Sequence, residues 1–206
     1  MKITVADTAG FCFGVNRAVK LVYRLLEEGR RVYTLGPIIH NPQLVEQLAQ
    51  RGVHIAKDPS DVPPGATLVI RSHGVSLDTI GQAERLRVEC ADATCPYVAK
   101  IHRIVYRAGR AGKPVLIAGD PEHPEVEGIR GHCIAESHVF RNAAELTDLE
   151  RKYPYLKNNA LCVVAQTTFS VSEWENCLKI VKRVYTNASI FDTICNATSE
   201  RQAEAI

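Results

Sequence analysis

Apolar residues along this chain come in short runs that alternate with stripes at helical spacing. Residues 2–6 (Lys-Ile-Thr-Val-Ala) read as a strand that runs into a turn carrying Gly10, Cys12 and Gly14. Val15, Ala18, Val19, Val22 and Leu26 then share one helical face, with Gly29 as a stop signal. Residues 31–36 predict a second strand. Leu44, Val45, Leu48 and Ala49 predict a helix closed by Gly52, and residues 61–65 (Asp-Val-Pro-Pro-Gly) a turn. Residues 67–75 read as a strand running into His73 and Gly74, with Ser76 placed to cap the next helix. Val-Glu-Cys-Ala-Asp (88–92) then leads to Cys95.

From Cys95 the pattern restarts. Val98, Ile101, Val105 and Ala108 form a helical stripe, residues 114–120 a strand, residues 133–136 a short strand and residues 142–149 a helix. Residues 153–159 read as a loop and residues 160–168 as the clearest buried strand in the chain. A helix with Trp174, Cys177, Leu178 and Val181 on one face follows, and Ser-Ile-Phe-Asp leads to Cys195. Strands alternating with helices at this spacing imply right-handed crossovers and parallel sheets. The fold class is therefore α/β: small parallel-sheet lobes over residues 1–95 and 96–193, with a third lobe opening over 194–206.

Three stretches mark the restarts: around Cys12 (Ala-Asp-Thr-Ala-Gly-Phe-Cys), around Cys95 (Ala-Asp-Ala-Thr-Cys) and around Cys195 (Phe-Asp-Thr-Ile-Cys). Each pairs an Asp (Asp7, Asp92, Asp192) with a later Cys that precedes a helical pattern. The cysteines are 83 and 100 residues apart, the length of a small lobe. In parallel α/β sheets, ligands bind at the carboxyl ends of the strands. Cys12, His40, His73, Cys95, His123, Glu125, Thr167 and Cys195 all fall there, in a pseudo-threefold arrangement around one centre.

Composition narrows the chemistry. The 206 residues are 46% hydrophobic and 23% charged, with a formal charge of +2 and no long basic run, so electrostatics gives no case for nucleic acid. No apolar stretch reaches membrane-spanning length, and the first residues read as a strand, not a signal peptide; a cytoplasmic protein is expected. Seven cysteines are an odd number for a disulfide set, and no Cys-x-x-Cys pair exists. Cys90, Cys133, Cys162 and Cys177 suit burial as small apolar residues. Cys12, Cys95 and Cys195 sit in turns at helix N-termini, where the dipole favours a thiolate. Three thiolates at one point need a cation, either zinc or an iron–sulfur centre.

His40, His73 and His123 each follow a strand, and together they would make a pocket for an anion such as a diphosphate. His54, His102, His132 and His138 fit surface or helix positions. Glu125, at the same rim as His123, would become a proton donor if desolvated. Of Thr167 and Thr168, one is expected as the cap of the following helix and the other as a hydroxyl pointing into the site.

Taken together and in this order, Gly-Phe-Cys-Phe-Gly-Val, Ile-Ile-His-Asn-Pro, Arg-Ser-His-Gly-Val, Asp-Ala-Thr-Cys-Pro, His-Pro-Glu-Val-Glu-Gly, Val-Ala-Gln-Thr-Thr and Ile-Cys-Asn-Ala-Thr-Ser-Glu-Arg-Gln resemble the 4-hydroxy-3-methylbut-2-enyl diphosphate reductases, the LytB family. The resemblance spans the whole chain. It implies three α/β lobes around a 4Fe-4S cluster held by Cys12, Cys95 and Cys195. The implied reaction is a two-electron, two-proton removal of an allylic hydroxyl, giving isopentenyl and dimethylallyl diphosphate. The resemblance also implies diphosphate binding by His40, His73 and His123, a proton from Glu125, a substrate-holding Thr167, and electrons from a ferredoxin or flavodoxin. Family members continue well beyond residue 206 with a third lobe that grips the diphosphate. The expectation is therefore that these 206 residues hold cluster weakly and turn over little. Two other readings are a non-redox zinc-binding α/β module and a nucleotide-binding module; the latter lacks its glycine-rich phosphate loop.

Overall fold

The computed structural model describes residues 9–197 together with Glu200 and Glu204. The strand expected over residues 2–6, with Asp7, lies outside the described residues.

Helix α1 (Phe13–Glu27) leads into strand β1 (Val32–Leu35), helix α2 (Pro42–Gln50), strand β2 (His54–Ala56), a 3-10 turn at Pro59–Asp61, strand β3 (Thr67–Ile70), helix α3 (Leu77–Arg85) and strand β4 (Glu89–Asp92). The second unit repeats the plan. Helix α4 (Pro96–Arg110) precedes strand β5 (Val115–Ala118), helix α5 (Pro124–Gly131), strand β6 (Ser137–Phe140), helix α6 (Ala143–Lys152), a 3-10 helix at Pro154–Asn158, strand β7 (Cys162–Ala165), helix α7 (Val171–Val184) and the two-residue strand β8 (Ser189–Ile190). The two four-stranded sheets have orders β2-β1-β3-β4 and β6-β5-β7-β8. Every pairing within them is parallel.

Parallel strands linked by helical crossovers are covered on both faces, so the central strands are apolar throughout. All four residues of β3, β5 and β7 are buried. In the first unit, α1 and α2 pack one face around Val22, Leu44 and Val69, while Leu68, Ile70 and Val75 build the other. In the second, α4 and α5 pack around Ile101, Ile117 and Ile129, and α6 and α7 around Phe140, Trp174 and Tyr185. Capping follows the polar punctuation of the sequence: Asn41, Ser76, Asn142 and Ser170 accept from backbone N–H groups in the first turns of α2, α3, α6 and α7. The α7 cap is thus Ser170, and neither Thr167 nor Thr168 has that role.

Several expectations are corrected. The short strand expected over 133–136 is β6, four residues later, because α5 runs to Gly131 and β6 takes its register from Val115 against Ser137. Residues 153–159 form a 3-10 helix, not a plain loop. Strand β3 stops at Ile70 because the chain turns there, with Gly74 N–H donating to Arg71 O at 3.0 Å. Edge strand β2 went unanticipated; three residues with two of them exposed carry too little periodicity to read. Cys90, expected to be buried, lies exposed on edge strand β4, and Cys133 is half-buried.

Beyond β8 a side chain continues the ladder. Ala165 N–H donates to Thr193 Oγ1 at 2.9 Å, and Thr193 Oγ1 donates to Ala165 O at 2.6 Å. One hydroxyl thereby satisfies both backbone groups at the end of β7, two residues before Cys195. Thr193→Val keeps the shape and orphans both groups, so a loss of about 1–3 kcal/mol is expected in urea unfolding. A loss below about 0.5 kcal/mol would assign this junction to packing alone.

Candidate functional site

The carboxyl ends of the two sheets meet at one cavity of about 240 Å³. Its lining includes Cys12, Cys95 and Cys195, then His40, His73 and His123, and then Glu125 with Thr167. The eight residues singled out from the sequence therefore line a single space, although they come from seven separate turns and helix starts.

The cysteines are placed by repeated local structure. Cys12 and Cys95 occupy the N-cap positions of α1 and α4, and neither side chain caps its own helix. Asp92 accepts from Thr94 N–H at 2.8 Å, and Asp192 accepts from Ile194 N–H at 3.4 Å, so each Asp turns the chain toward the Cys after it. Cys95 N–H donates to Ser72 O at 2.9 Å and Cys195 N–H to Thr167 O at 2.7 Å. From α1, Arg17 reaches over to donate to Thr94 O at 2.9 Å, tying the Cys12 helix to the Cys95 turn. At Gly14 an added Cβ would stand 2.6 Å from Cys95 Sγ, so only glycine lets these two segments approach. Burial pushes the Cys95 thiol up, the N–H groups of Tyr97 and Val98 draw it back, and Cys12 and Cys195 push it up again. The thiols thus feel one another's charge.

The histidine rings gather beside them. Ring centroids lie 4.9 Å apart for His40 and His73, 5.4 Å for His73 and His123, and 5.9 Å for His40 and His123. One ring nitrogen from each falls within 4.8 Å of the others. His123 N-caps α5, accepting from Glu125 N–H through Nδ1 at 3.1 Å, which leaves Nε2 as the proton-bearing nitrogen of the neutral ring. His73 Nδ1 is buried without a hydrogen-bond partner. Burial, aided by His40, His123 and Arg71, lowers His73 to about 3, and burial with His40 lowers His123 as well. Arg71 is the residue the sequence reading missed. It precedes His73 by two residues, and its charge reaches both His73 and His123. Its signal lay in Arg-Ser-His-Gly, a cation two residues from a candidate anion ligand.

Glu125 is 2% exposed. One of its oxygens accepts from Thr167 N–H at 2.7 Å and the other from Thr167 Oγ1, also at 2.7 Å. Burial raises its pKa, and the two Thr167 hydrogen bonds only partly oppose that. Thr168 instead takes a hydrogen bond from the Gln166 amide at 3.0 Å. Of the four histidines expected at surface or helix positions, His54 is exposed and His102 lies on helix α4, where it is buried; His132, at the C-cap of α5, is also buried, and His138 is half-buried on strand β6, neither at the surface nor on a helix.

Three thiols, two of them at helix N-termini, form a soft donor set suited to a thiophilic metal group. A single tetrahedral zinc, with Zn–S near about 2.3 Å, needs its sulfurs within about 4 Å of one another. Among the described residues, the group whose ligand atoms all close to 4.8 Å is the histidine trio, and the thiols form no such group. Their wider spacing around a shared cavity fits a polynuclear centre better than one ion.

A profile of the LytB protein family matches residues 3–206. The chain belongs to the LytB family. It is 40% identical over 207 residues to the 4-hydroxy-3-methylbut-2-enyl diphosphate reductase of Alkaliphilus oremlandii, covering all of this chain and 72% of that protein. The same-named protein of Geotalea uraniireducens is 41% identical over 208 residues, with all of this chain and 70% of that one covered. Among solved structures, (E)-4-hydroxy-3-methyl-but-2-enyl diphosphate reductase, described as the terminal enzyme of the non-mevalonate pathway, matches with a TM-score of 0.83 and 37% identity, over 98% of this chain and 71% of that one. The E-1-hydroxy-2-methyl-but-2-enyl-4-diphosphate reductase of Plasmodium falciparum gives a TM-score of 0.86 at 28% identity, over 94% of this LytB chain and 61% of that one.

Gly14→Ala separates folding from metal binding in this LytB chain. Gly14 stands in the first turn of α1, where alanine gains little propensity, and its methyl group would have to displace the Cys95 side chain, so a still-cooperative melt with a midpoint at or modestly below the parent's is expected. The new methyl group occupies the space beside Cys95 Sγ, so iron bound per chain after anaerobic reconstitution should fall severalfold. Parent-level iron in a normally folded variant would show that this approach does not matter to the metal.

Proposed function

We propose that this protein is an iron–sulfur reductase that removes the allylic hydroxyl of 4-hydroxy-3-methylbut-2-enyl diphosphate, giving isopentenyl and dimethylallyl diphosphate. The observation that supports it most directly is one cavity lined by three thiols, three clustered imidazoles and a buried carboxyl group with raised pKa. We assign the lobes to residues 1–95 and 96–193, with residues 194–206 opening a third. Cys12, Cys95 and Cys195 would hold a 4Fe-4S cluster. When bound, such a cluster supplies electrons and Lewis acidity, because three thiolates leave one of four irons without a protein ligand.

The chain's own residues do the rest. His123 offers Nε2–H to an anion, and His40 and His73 complete a concave donor surface with the Arg71 charge behind it. Neutral imidazoles suit this task, since they donate hydrogen bonds without repelling one another, and they gain affinity for protons once a diphosphate sits among them. The reaction consumes two electrons and two protons, cleaving one C–O bond, forming one C–H bond and releasing water. Glu125, whose protonated form burial favours, delivers the proton that lets the oxygen leave. Thr167 Oγ1, already 2.7 Å from the carboxyl group, holds the substrate hydroxyl and carries that proton across. All seven cysteines are free thiols, in keeping with a reducing cytoplasm, where a ferredoxin or flavodoxin would serve as electron donor. No helix among the described residues is long and apolar enough to cross a membrane.

The test is anaerobic reconstitution with iron and sulfide, followed by absorbance and Mössbauer spectra and a dithionite–viologen assay with substrate. Cys12→Ser, Cys95→Ser and Cys195→Ser should each strip the cluster, and a colourless zinc protein would refute the reading. The same assay measures whether residues 1–206 turn over as little as the sequence comparison implies.

Glu125→Gln keeps the shape and removes the acid. In single turnovers with stoichiometric substrate, the rate should fall by about a hundredfold or more, with cluster content unchanged. The sign of its stability effect follows from linkage. The folded pKa lies above the ordinary 4.5, so between the two values the folded state holds a proton that the unfolded state has released. The Glu125 contribution is therefore fully present below the ordinary value and is lost as pH rises through the folded value. Melting curves of the parent should fall across that window relative to Glu125→Gln, and parallel curves would mean that Glu125 is ionised in the fold.

A further inference from the structure

His102 has no part in the proposed chemistry, yet it is only 7% exposed and stands at the seam between the two sheet units. It lies two turns into α4. Its ring stacks on His132, with centroids 3.9 Å apart and planes 16° from parallel. His132 is anchored in turn, its Nδ1 lying 2.9 Å from Gly128 O. His102 Nε2 is buried with no hydrogen-bond partner, and burial lowers the ring to about 3, so it is a neutral wedge.

What surrounds the wedge gives it meaning. A Cβ at Gly74 would stand 2.5 Å from His102 Cε1 and 3.2 Å from the Thr94 methyl group. A Cβ at Gly128 would stand 3.3 Å from His102 Nε2 and 3.4 Å from His73 O. One imidazole thus abuts the residue after His73, which the residue before Cys95 also flanks, and helix α5, whose N-cap is His123 and whose first turn carries Glu125. Gly74 sits at φ +70° and Gly128 lies inside a helix, so neither backbone can drift far. An apolar side chain would fill the space without an orphaned nitrogen, so a rigid, flat ring backed by a second ring needs a reason.

We propose that His102, backed by His132, is a positioning residue: it fixes the distance between the His73 loop and helix α5, and so the separation of His73 from His123 on which the diphosphate grip depends. This rests on the diphosphate reading of the histidine trio. The wedge acts through packing, so thickening it and removing it should both misplace the trio.

The probe is inorganic pyrophosphate, titrated calorimetrically into anaerobic, cluster-loaded protein, with iron content and thermal midpoint measured on the same samples. Gly128→Ala adds one methyl group between His102 and His73 O while improving helix propensity. Positioning predicts binding weakened about tenfold in a variant that still melts cooperatively, whether the crowding or the helix propensity decides the sign of the midpoint shift. His102→Ala should weaken binding comparably, and if that variant does not fold, Gly128→Ala decides alone. Affinity within about twofold of the parent in folded Gly128→Ala and His102→Ala overturns the positioning role and leaves the diphosphate reading standing. A parent that binds no pyrophosphate overturns the diphosphate reading and this role with it.

Discussion

Cys95 N–H donates to Ser72 O at 2.9 Å, and Cys195 N–H donates to Thr167 O at 2.7 Å. In each sheet unit a cysteine after the last strand is thereby pinned to the backbone just beyond the neighbouring central strand. That backbone carries the next functional group: His73 follows Ser72, and Thr167 itself holds Glu125. These bonds convert the parallel register of two sheets into the mutual placement of sulfur, imidazole and carboxyl groups. A parallel sheet sends all its strand ends in one direction, so two such sheets facing one seam concentrate polar chemistry there and leave their cores apolar.

Concentrating such groups has an electrostatic cost that shapes the site. Burial and the two neighbouring thiols raise Cys95, burial and the neighbouring imidazoles lower His73 and His123, and burial raises Glu125. Every one of these shifts favours the neutral form, so charge brought in by a ligand is what the site is short of. A thiophilic metal centre neutralises three thiolates, and an anion neutralises protons taken up by the histidines. The surrounding fold therefore holds the residues in place without needing their mutual attraction, and affinity for ligand is available where self-attraction is absent. Arg71 is the exception, a half-buried cation whose charge reaches His73 and His123 and biases the pocket toward anions.

Much of this was legible in the sequence, for identifiable reasons. Buried parallel strands such as β5 and β7 are uniformly apolar, and helices α4 and α7 bury clean stripes, so the alternation that defines the fold stood out. The site was legible because its residues sit at strand ends and helix starts, where Gly, Asp, Cys and His break the apolar pattern. Shorter elements were not: β2 has three residues, and the shift of β6 depends on a register that only its partner sets. Cys90 looked buried because Val-Glu-Cys-Ala-Asp reads as a strand, and nothing local reveals that β4 lies at a sheet edge. Arg71 was overlooked because a lone Arg between a strand and a loop has the pattern of an ordinary surface cation.

His102 shows the deeper reason why part of a site stays hidden from sequence. It falls beside Ile101 on α4, and a surface or helix position, all that the sequence supported, leaves open which way the ring faces. What settles the matter is the opposite wall of the seam, where Gly74, with the Thr94 methyl group beside it, and Gly128 leave room for the ring. Those three residues are 54 positions apart at their extremes and belong to both sheet units. A residue whose role is to set the distance between other residues has no chemistry of its own to announce. Its signature is the absence of side chains around it, and here that absence is written as glycine on the segments that carry His73 and His123.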